Sequence, residues 1–578
     1  MFSKYYQSEL SYLREMGRAF AVANPSLAGL LSERGGDPDV ERLLEGFAFL
    51  SAQIRERTEN AVPEVIHGLA ELLMPHYLRP LPACSVVEFT PQPRALRGRL
   101  RVPRGTEIAA VPVEQTSCTF RTTADLDLLP LTLLDAAVEY PSATAPTLRL
   151  LLQLGEQARA ELIQAGRLRF FLHGELPLSS TLFLWLFRHC RGISLRDAGS
   201  AGPAVRIGPN SLRAVGFDPG EALFPWPPLA PQGFRLVQEL FTLPQKYLFF
   251  ELGGLQATPP AKEQLEVRLE FDRPPPLPAR LGREAIRLHC VPVINLFRCE
   301  GEPLQLQVPG QEHLVRAAGL NPLHMEVYSV DSVTGVRAGG ERQTYPPFVD
   351  FRHAEDQRAC YRLRRAPSPI NDGIDTYLAL ATPRDVSPYL GAETLSLELT
   401  CTNRSLPSQL RLGDLKVPTA SSPTIARFSN LGPVTKPARP PLGSELHWRL
   451  LSHLSLGHGS LASPDALRSL LSLYNFQAQS DYPLARANAL RLDSIRAVNS
   501  AAARRFLQGA PVRGQRTVVE LDESGFAGPG DLFLFGWVLD ELFADNLTLN
   551  AFNELSVRFF PSRMEYSWPA RSGSQPLL

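Results

Sequence analysis

Residues 265–271 read LEVRLEF, a strict alternation of apolar and charged side chains. Successive side chains of a β-strand point to opposite faces, so this pattern predicts a strand with one buried and one exposed face. Similar short runs recur from about residue 83 to residue 415, for example at 85–89 and 395–401. The chain also contains 52 Pro and 41 Gly in 578 residues, and both residue types favour turns between short strands. The middle of the chain is therefore predicted to be β-rich.

The first eighty residues carry their apolar side chains at helical spacing instead. Apolar or small residues recur at intervals of three and four, the repeat of one helix face, at Tyr6, Leu10, Leu13, Gly17 and Phe20. A further helix with the same kind of spacing is predicted from Pro63 onward. The N-terminal segment is therefore predicted to be a set of short antiparallel helices.

Between these two helices, another is predicted to begin at Asp37, which suits the N-cap, with Pro38 at the first helical position. The carboxylates of Asp39 and Glu41 complement the positive end of the helix dipole. Apolar residues of this helix include Leu43, Leu44, Phe47, Phe49 and Leu50. Gly46 lies among them and costs roughly 1 kcal/mol relative to Ala inside a helix. We therefore expect a close helix–helix contact at Gly46.

Composition and pattern divide the chain into four parts. They are an N-terminal helical segment (1–82), a β-rich domain (83–285), a second β-rich domain (286–443) and a mixed α/β C-terminal domain (444–578). Residues 416–443 are rich in Pro, Gly and Ser and are predicted to be a linker or a surface loop. The predicted fold class is therefore an α+β multidomain chain.

Three further predictions concern individual segments. Residues 331–335 read DSVTG, which is the composition of a turn. Residues 531–544 are strongly apolar and predict either a helix or a strand followed by a helix. The part of this run from 533 to 543 forms either buried core or an intersubunit contact, and we favour the core. Residues 552–559 are expected to form a closing strand.

The charge balance argues against broad electrostatic binding. Lys and Arg total 59, and Asp and Glu total 59, so no global positive field attracts nucleic acid or an anionic membrane. The longest strongly apolar run, residues 182–187, is far shorter than the roughly twenty residues that span a bilayer. The N-terminus lacks the apolar region of a signal peptide, and the seven cysteines include no C-x-x-C pair. We therefore expect a cytoplasmic protein with reduced thiols.

The sequence holds one cluster of histidines to compare with a metal site, namely His447, His453 and His458. Spacings of six and five do not bring them to one helix face, and no Cys or carboxylate completes a ligand set. No P-loop, dinucleotide-binding glycine pattern or H-E-x-x-H motif is present. Residues 525–530 are glycine-rich, but Pro529 removes an amide donor from that loop, which weakens it as a phosphate site.

Isolated pairs of reactive residues offer no better site. His289 and Cys290 are adjacent, so a strand points their side chains to opposite faces and separates them. Asp350 and His353 have a spacing that often arises by chance. Helix capping accounts for the carboxylates after Asp37 without a metal. We therefore predict a structural or interaction protein with no catalytic residue, no metal and no cofactor.

Several sequence blocks resemble one known family. They are DPDVERLLEGFAFL (37–50), MPHYLRP (74–80), CTNRSLP (401–407), WRLLSHLSL (448–456) and LFGWVLD (534–540). Such blocks follow one another in family order from residue 5 to about residue 558, and together they resemble the TssF family, also called ImpG or VasA. One local departure is the sequence GHG at 457–459.

The resemblance implies a subunit of the type VI secretion baseplate, similar to the wedge proteins of contractile phage baseplates. It implies that two TssF copies assemble with one TssG, and that TssK, TssE and the VgrG hub are further partners. It also implies a cytoplasmic position beneath the inner membrane, docked to the membrane complex through other subunits, without direct membrane insertion or nucleic-acid binding. The implied function is mechanical, coupling the baseplate to sheath assembly and contraction.

The N-terminal helices carry more apolar surface than a three-helix set easily hides, which suggests where such partners bind. We hypothesise that Leu43, Leu44, Phe47, Phe49 and Leu50 pack in a helical bundle shared with TssG and a second TssF copy. The alternative is that these residues form an internal core. Two other functions remain open, a wedge protein of a contractile phage-tail-like baseplate and a cytosolic hydrolase with an unrecognised site.

Overall fold

The structure is a computed structural model that describes most of the chain. The described residues are 2–23, 38–39, 41–52, 68, 70–71, 74–92, 95–140, 146–155, 157–199, 203–227, 230–257, 263–278, 281–306, 311–337, 340–348, 359–369, 371–381, 393–442, 449, 461, 463–507, 510–548 and 550–573. The chain falls into two compact units, residues 1–75 with 443–447 and residues 76–442 with 448–578.

The first unit is helical where it is described. Helix α1 spans Phe2–Ala23, and residues 38–39 and 41–52 are also helical. The periodic apolar pattern at the start of the chain therefore forms helices, as predicted. Asp37, the predicted N-cap, and most of the helix predicted from Pro63 lie outside the described residues.

The second unit is built mainly from β-strands. In chain order they are β1 (Cys84–Pro91), β2 (Leu100–Val102), β3 (Glu107–Ala110), β4 (Thr119–Thr122), β5 (Leu126–Leu128), β6 (Leu131–Glu139), β7 (Thr147–Leu154), β8 (Arg167–Leu172), β9 (Cys190–Asp197), β10 (Val205–Ile207), β11 (Leu212–Val215), β12 (Phe249–Gly253), β13 (Gln264–Phe271), β14 (Ile286–Leu288), β15 (Cys290–Ile294), β16 (Phe297–Glu300), β17 (Leu304–Leu306), β18 (His313–Leu314), β19 (Glu326–Arg337), β20 (Arg342–Thr344), β21 (Cys360–Pro367), β22 (Ile374–Ala381), β23 (Glu393–Thr402), β24 (Leu415–Pro418), β25 (Ala426–Asn430), β26 (Ile495–Leu507), β27 (Ala510–Asp522), β28 (Ala551–Phe560), β29 (Glu565–Ser567) and β30 (Arg571–Ser572). Its helices are α2 (Ala158–Ala165), α3 (Leu176–Leu184), α4 (Gln232–Thr242), α5 (Pro464–Ser472), α6 (Tyr482–Asp493) and α7 (Pro529–Asp545).

These strands form several separate sheets. Their orders are β24-β3-β4-β15-β1-β25, β10-β9-β13-β7-β6, β11-β12-β8-β14, β16-β23-β19-β20 with β17 beside β23, β18-β22-β21, β2-β5, and β26-β27-β28-β29 with β30 beside β28. The pair β27–β28 is parallel, and its neighbours in the same sheet are antiparallel. The combination of many sheets with helices confirms the predicted α+β fold class. None of the described helices is long and apolar enough to cross a membrane.

The six-stranded sheet joins distant parts of the chain. Towards one edge, Val87 of β1 lies opposite Val291 of β15 on one side and Asn430 of the edge strand β25 on the other. Strand β24 pairs with β3 at the opposite edge. Residues 416–443, predicted as a linker or a surface loop, therefore contribute to two paired strands, and that prediction was wrong. The sheet also crosses the predicted boundary at 285/286, so that boundary does not separate compact units.

A second core lies between the β16-β23-β19-β20 and β18-β22-β21 sheets. Leu397 from the first sheet and Leu380 from the second both belong to this buried cluster. Strand β19 runs without a break through residues 331–335, so the turn predicted there was wrong. Irregular register beside Val330 lets β19 continue pairing with β23 despite the turn-like composition.

The C-terminal part contains a β–α–β connection. Parallel strands require a crossover, and α7 supplies it between β27 and β28. The apolar run 531–544 is therefore one helix, buried on most sides because α3, α4 and β28 pack against it. A Cβ at Gly530 would lie 2.1 Å from the carbonyl carbon of Ser180, which shows how closely α3 approaches. The core prediction for residues 533–543 is confirmed, as is the closing strand β28.

Candidate protein-binding interface

The helical segment 41–52 exposes large apolar side chains along one side. Leu43, Phe47 and Leu50 are 73%, 62% and 57% exposed. Their spacings of four and three residues place them on one side of a helix. On another side, Ala48 and Ala52 are fully buried, so this side of the helix is covered by protein. The helix therefore has one face used internally and one apolar face left in solvent.

The other two predicted interface residues lie elsewhere on this helix. Leu44 is half-buried and lies one turn before Ala48, on the packed side. Phe49 is exposed but lies off the line of Leu43, Phe47 and Leu50. The structure thus brings three of the five predicted residues together.

Gly46 lies on the same exposed side, three residues after Leu43 and four before Leu50. A Cβ placed on Gly46 would meet no atom within 4 Å among the described residues. The expected close helix–helix contact at Gly46 is therefore absent from the described part of this chain. Leu43, Gly46, Phe47 and Leu50, called the 43–50 stripe below, show the i, i+3, i+4, i+7 spacing of a helix-binding face.

Helix α1 carries a second exposed apolar row that the sequence analysis missed. Tyr12, Met16 and Phe20 are 58%, 52% and 52% exposed and are spaced four residues apart. Phe20 was predicted to share the core face with Leu10 and is half-exposed instead. The sequence signal for this exposed row is that large apolar residues occur beside the periodic face as well as on it. A single buried face needs only one such row, so the second row indicates a further apolar surface.

An ion pair connects α1 to the helical segment 41–52. Arg14 Nη2 donates to Glu41 Oε2 at 2.7 Å, and both side chains are mostly buried. The hydrogen bond to Glu41 raises the pKa of Arg14, so the guanidinium stays charged near neutral pH. Glu41 precedes the 43–50 stripe by two residues. The ion pair therefore fixes the rotation of that helix against α1 and holds the stripe away from the internal face.

His289 and Cys290, which are adjacent in the sequence, make separate hydrogen bonds. His289 Nε2 accepts the backbone N–H of Leu129 at 3.2 Å, whereas Cys290 Sγ donates to the Leu288 carbonyl at 3.3 Å. Burial lowers the pKa of His289 to about 4 and raises that of the Cys290 thiol, so both are neutral at pH 7. Their bonds are separate, which confirms that they do not act as a pair.

The histidine cluster and the Asp–His pair considered from the sequence are not part of the described structure. His447, His453, His458, Asp350 and His353 all lie outside the described residues. Within the described ranges, no group of three or more His, Cys, Asp or Glu side chains is placed to hold a metal ion. The carboxylate of Glu41 is used by Arg14, as described above.

The second unit contains one charged cavity of about 190 Å³. Its lining includes Arg101 paired with Asp125 at 2.5 Å and Arg169 paired with Glu251 at 2.8 Å. Because these arginines already contact carboxylates, this part of the lining is electrostatically compensated. The cavity therefore has the character of an ion-pair network between strands.

A buried ionic cluster on α4 perturbs a lysine. Glu239 Oε2 accepts hydrogen bonds from Arg235 and Lys246, and all three side chains are at most 1% exposed. Lys246 Nζ also donates to the Gly216 carbonyl at 2.6 Å. Burial lowers the pKa of Lys246 to about 8, a value seen in catalytic lysines. Here the amine is enclosed by protein, so its position supports packing and gives no access to a substrate.

Sequence comparison relates the whole chain to known proteins. A family profile described as "Type VI secretion system, TssF" matches residues 1–575. The chain is 32% identical over 624 aligned positions to a Pseudomonas aeruginosa (strain PAO1) protein described as type VI secretion system component TssF1. That alignment covers 100% of this chain and 99% of the relative.

Two solved structures contain similar chains. One is the TssK-TssF-TssG baseplate subcomplex of the type VI secretion system, determined by cryo-electron microscopy. Its similar chain has a TM-score of 0.78 and 32% identity, covering 93% of this chain and 99% of that chain. The other is the baseplate complex from the type VI secretion system, with a TM-score of 0.61, 29% identity and 100% coverage of both chains. The similarity therefore extends over the whole fold.

Proposed function

Because the chain belongs to the TssF family of the type VI secretion system, we propose that it is a structural subunit of the baseplate that assembles with TssG and TssK. The support is that similar chains occur in a TssK-TssF-TssG subcomplex and in a baseplate complex. The function rests on contacts between proteins, so the residues that matter most are those at binding surfaces and not those at an active site.

The observation that carries this proposal within the chain is the exposed 43–50 stripe. Burying a side chain of the size of Leu or Phe contributes roughly 1.5–3 kcal/mol. The stripe exposes more than half of Leu43, Phe47 and Leu50, so most of that free energy is still available for binding. Binding of a partner groove or helix to the stripe gains this free energy without any rearrangement of the helix backbone.

We assign the stripe to a helical bundle formed with TssG and a second TssF copy. Leu43, Phe47 and Leu50 supply the contact, and Gly46 lets a partner helix approach closely. Leu44 supports this face from the packed side, and Phe49 lies at its edge. Two copies of one sequence then meet different neighbours with the same surface.

The proposal extends to the larger assembly. Two copies join one TssG in each wedge, TssK and TssE attach, and the wedges surround the VgrG hub in the cytoplasm beneath the inner membrane. Other subunits link this assembly to the membrane complex. The chain transmits the rearrangement that starts sheath contraction and performs no catalytic step.

The test is copurification of the chain with TssG, using a Phe47→Asp variant. A carboxylate at position 47 is costly to bury in an apolar contact, so we expect binding to TssG to weaken at least tenfold. Leu412→Asp is the matched control, because Leu412 is 67% exposed in the second unit. This control introduces the same charge at a similarly exposed apolar site and is expected to bind normally.

Both substitutions are at solvent-exposed positions, so both variants are expected to fold. Melting curves of the two variants check this. Native mass spectrometry of the wild-type complex is expected to give two copies of this chain for each TssG. A Phe47→Asp variant that is folded and binds TssG as tightly as the control would contradict the assignment of the stripe.

A further inference from the structure

The hairpin β26–β27 projects a long strand edge from the second unit. Its two strands, Ile495–Leu507 and Ala510–Asp522, pair over their full lengths. Strand β28 lies beside β27, which leaves β26 at the edge of this sheet in the described part of the chain. A long edge strand presents a row of backbone N–H and C=O groups that can pair with another strand.

The outer half of this hairpin is exposed on both faces. Residues 499–502 and 504–506 are all exposed, and the side chain of Phe506 is 79% exposed. Residues 500–503 read SAAA, so small side chains leave the backbone edge accessible. By contrast, Val498 at the base is buried. The base thus belongs to the core, whereas the outer half is an arm in solvent.

The arm carries uncompensated positive charge on one face. Arg504 and Arg513 lie directly opposite each other in the strand register, and like charges in that position repel. Residues 499–517 contain no Asp or Glu. Among the described residues, neither arginine has a carboxylate within ion-pair distance. On the other face, Arg505 contacts Glu554 at 2.6 Å, so the two faces differ.

We propose that the outer edge of β26 binds an extended acidic segment of a different protein, which adds to the sheet as a further strand. Main-chain hydrogen bonds supply part of the affinity, and side chains at alternate positions supply the specificity. A carboxylate on the added strand beside Arg504 forms a charge-assisted pair with it. This inference extends beyond the proposed assembly with TssG and TssK.

The spacing along a strand defines the partner sequence further. Side chains two residues apart lie on the same face, so Phe506 lies next to Arg504 on that face. The preferred segment therefore has an acidic residue two positions from an apolar or aromatic residue. A second copy of this chain is disfavoured as the added strand, because residues 495–507 contain no Asp or Glu that could pair with Arg504 in any register.

Fluorescence anisotropy on the full chain tests the proposal with a labelled decapeptide as the probe, in which Glu and Val alternate at every second position with Thr between them, so that both lie on one face of the strand. A peptide with Lys in place of Glu is the charge control. We expect the Glu peptide to bind at least tenfold more tightly than the Lys peptide. Arg504→Glu is expected to abolish the difference. The matched control is Arg206→Glu, which reverses an exposed arginine on the short strand β10.

Two further readouts separate strand addition from simple charge attraction. Arg504→Glu creates a favourable pair with Arg513, so its melting temperature is expected not to fall. Hydrogen exchange of residues 499–506 is expected to slow at least fivefold when the Glu peptide is added. Equal binding of both peptides, unchanged exchange, or equal competition by a DNA duplex at matched charge concentration would overturn the proposal. Slowed exchange in the chain alone at high concentration would also overturn it, because a second copy is then the occupant.

Discussion

Replacing Glu239 with Gln is expected to destabilise the second unit strongly. Glu239 is fully buried on α4 and accepts hydrogen bonds from Arg235 at 2.9 Å, from Tyr247 at 3.2 Å and from Lys246. Its other oxygen accepts the backbone N–H of Leu223 at 2.7 Å. One carboxylate thus serves two buried cations, and among the described residues it is the carboxylate that forms an ion pair with each of them.

The loss in the free energy of unfolding depends on which charges remain buried after each substitution. Glu239→Gln leaves Arg235 and Lys246 buried together without an anion, and breaking a buried ion pair in this way costs roughly 3–5 kcal/mol. Lys246→Met instead leaves Arg235 and Glu239 as a neutral pair. That change loses the bonds of the amine to Gly216 and Glu239, which costs about 1–2 kcal/mol.

Thermal unfolding followed by circular dichroism measures the difference between the two variants. Because the unfolding entropy is roughly 2 cal/mol/K per residue, 1 kcal/mol shifts the melting temperature of a unit as large as the second one by only about 1 °C. We therefore expect a loss of roughly 3–5 °C for Glu239→Gln and a clearly smaller loss for Lys246→Met. If Lys246→Met were the more damaging change, the charge argument would be refuted, and hydrogen bonding by the amine would be the dominant contribution.

The remaining predictions concern a buried carboxyl and two helical glycines. Burial raises the pKa of Asp540 to about 7 despite Arg571 at 2.5 Å. Because the unfolded value is near 3.9, its contribution to stability is present below about pH 4 and is lost as the pH rises through 7. Asp540→Asn is therefore expected to flatten the melting temperature between pH 5 and 8, and an unchanged profile would exclude this cause. Gly530→Ala pushes a methyl group into the Ser180 backbone and is expected to cost roughly 1–3 kcal/mol in denaturant unfolding. Gly46→Ala meets open space and is expected to slow hydrogen exchange of residues 41–52, since Ala is favoured by about 1 kcal/mol in a helix; faster exchange would contradict that placement.

Local sequence pattern predicts structure correctly where it agrees with the final environment of the residues. Residues 265–271 form most of β13, and their apolar members are buried as the alternation predicts. Even there, Glu266 is only 5% exposed, because Arg196 and Arg268 on the same sheet pair with it. Arg268 is visible on the same strand, whereas the cross-strand partner Arg196, which lies opposite Glu266 on β9, is not.

The failures have a common physical cause in long-range pairing. Residues 416–443 have the composition of a linker, but β25 pairs with β1, more than 300 residues earlier in the chain. Helix α4 escaped notice because Arg235 and Glu239 interrupt its apolar pattern, and both are buried only because they pair. The run 531–544 was ambiguous because a helix that is packed on most sides shows no clear periodicity.

The candidate interface was predictable in part. Helix-forming residues around positions 43–50 and their excess of apolar surface are evident from the sequence. Which of them remain exposed depends on the internal face used by Ala48 and on the Arg14–Glu41 ion pair, and both depend on tertiary packing. The separation of Leu44 from the stripe follows from that packing.

Photo-crosslinking from position 47 tests the central claim most directly. Phe47 is replaced by the photoreactive amino acid p-benzoylphenylalanine, which keeps an aromatic side chain at this exposed site, and the chain is irradiated with TssG present. The same replacement at Tyr482, which is 75% exposed in the second unit, is the control. The account predicts crosslinks from position 47 to TssG or to a second copy of this chain, in higher yield than from position 482. A position 47 that crosslinks only within its own chain, while the complex forms normally, would contradict the account.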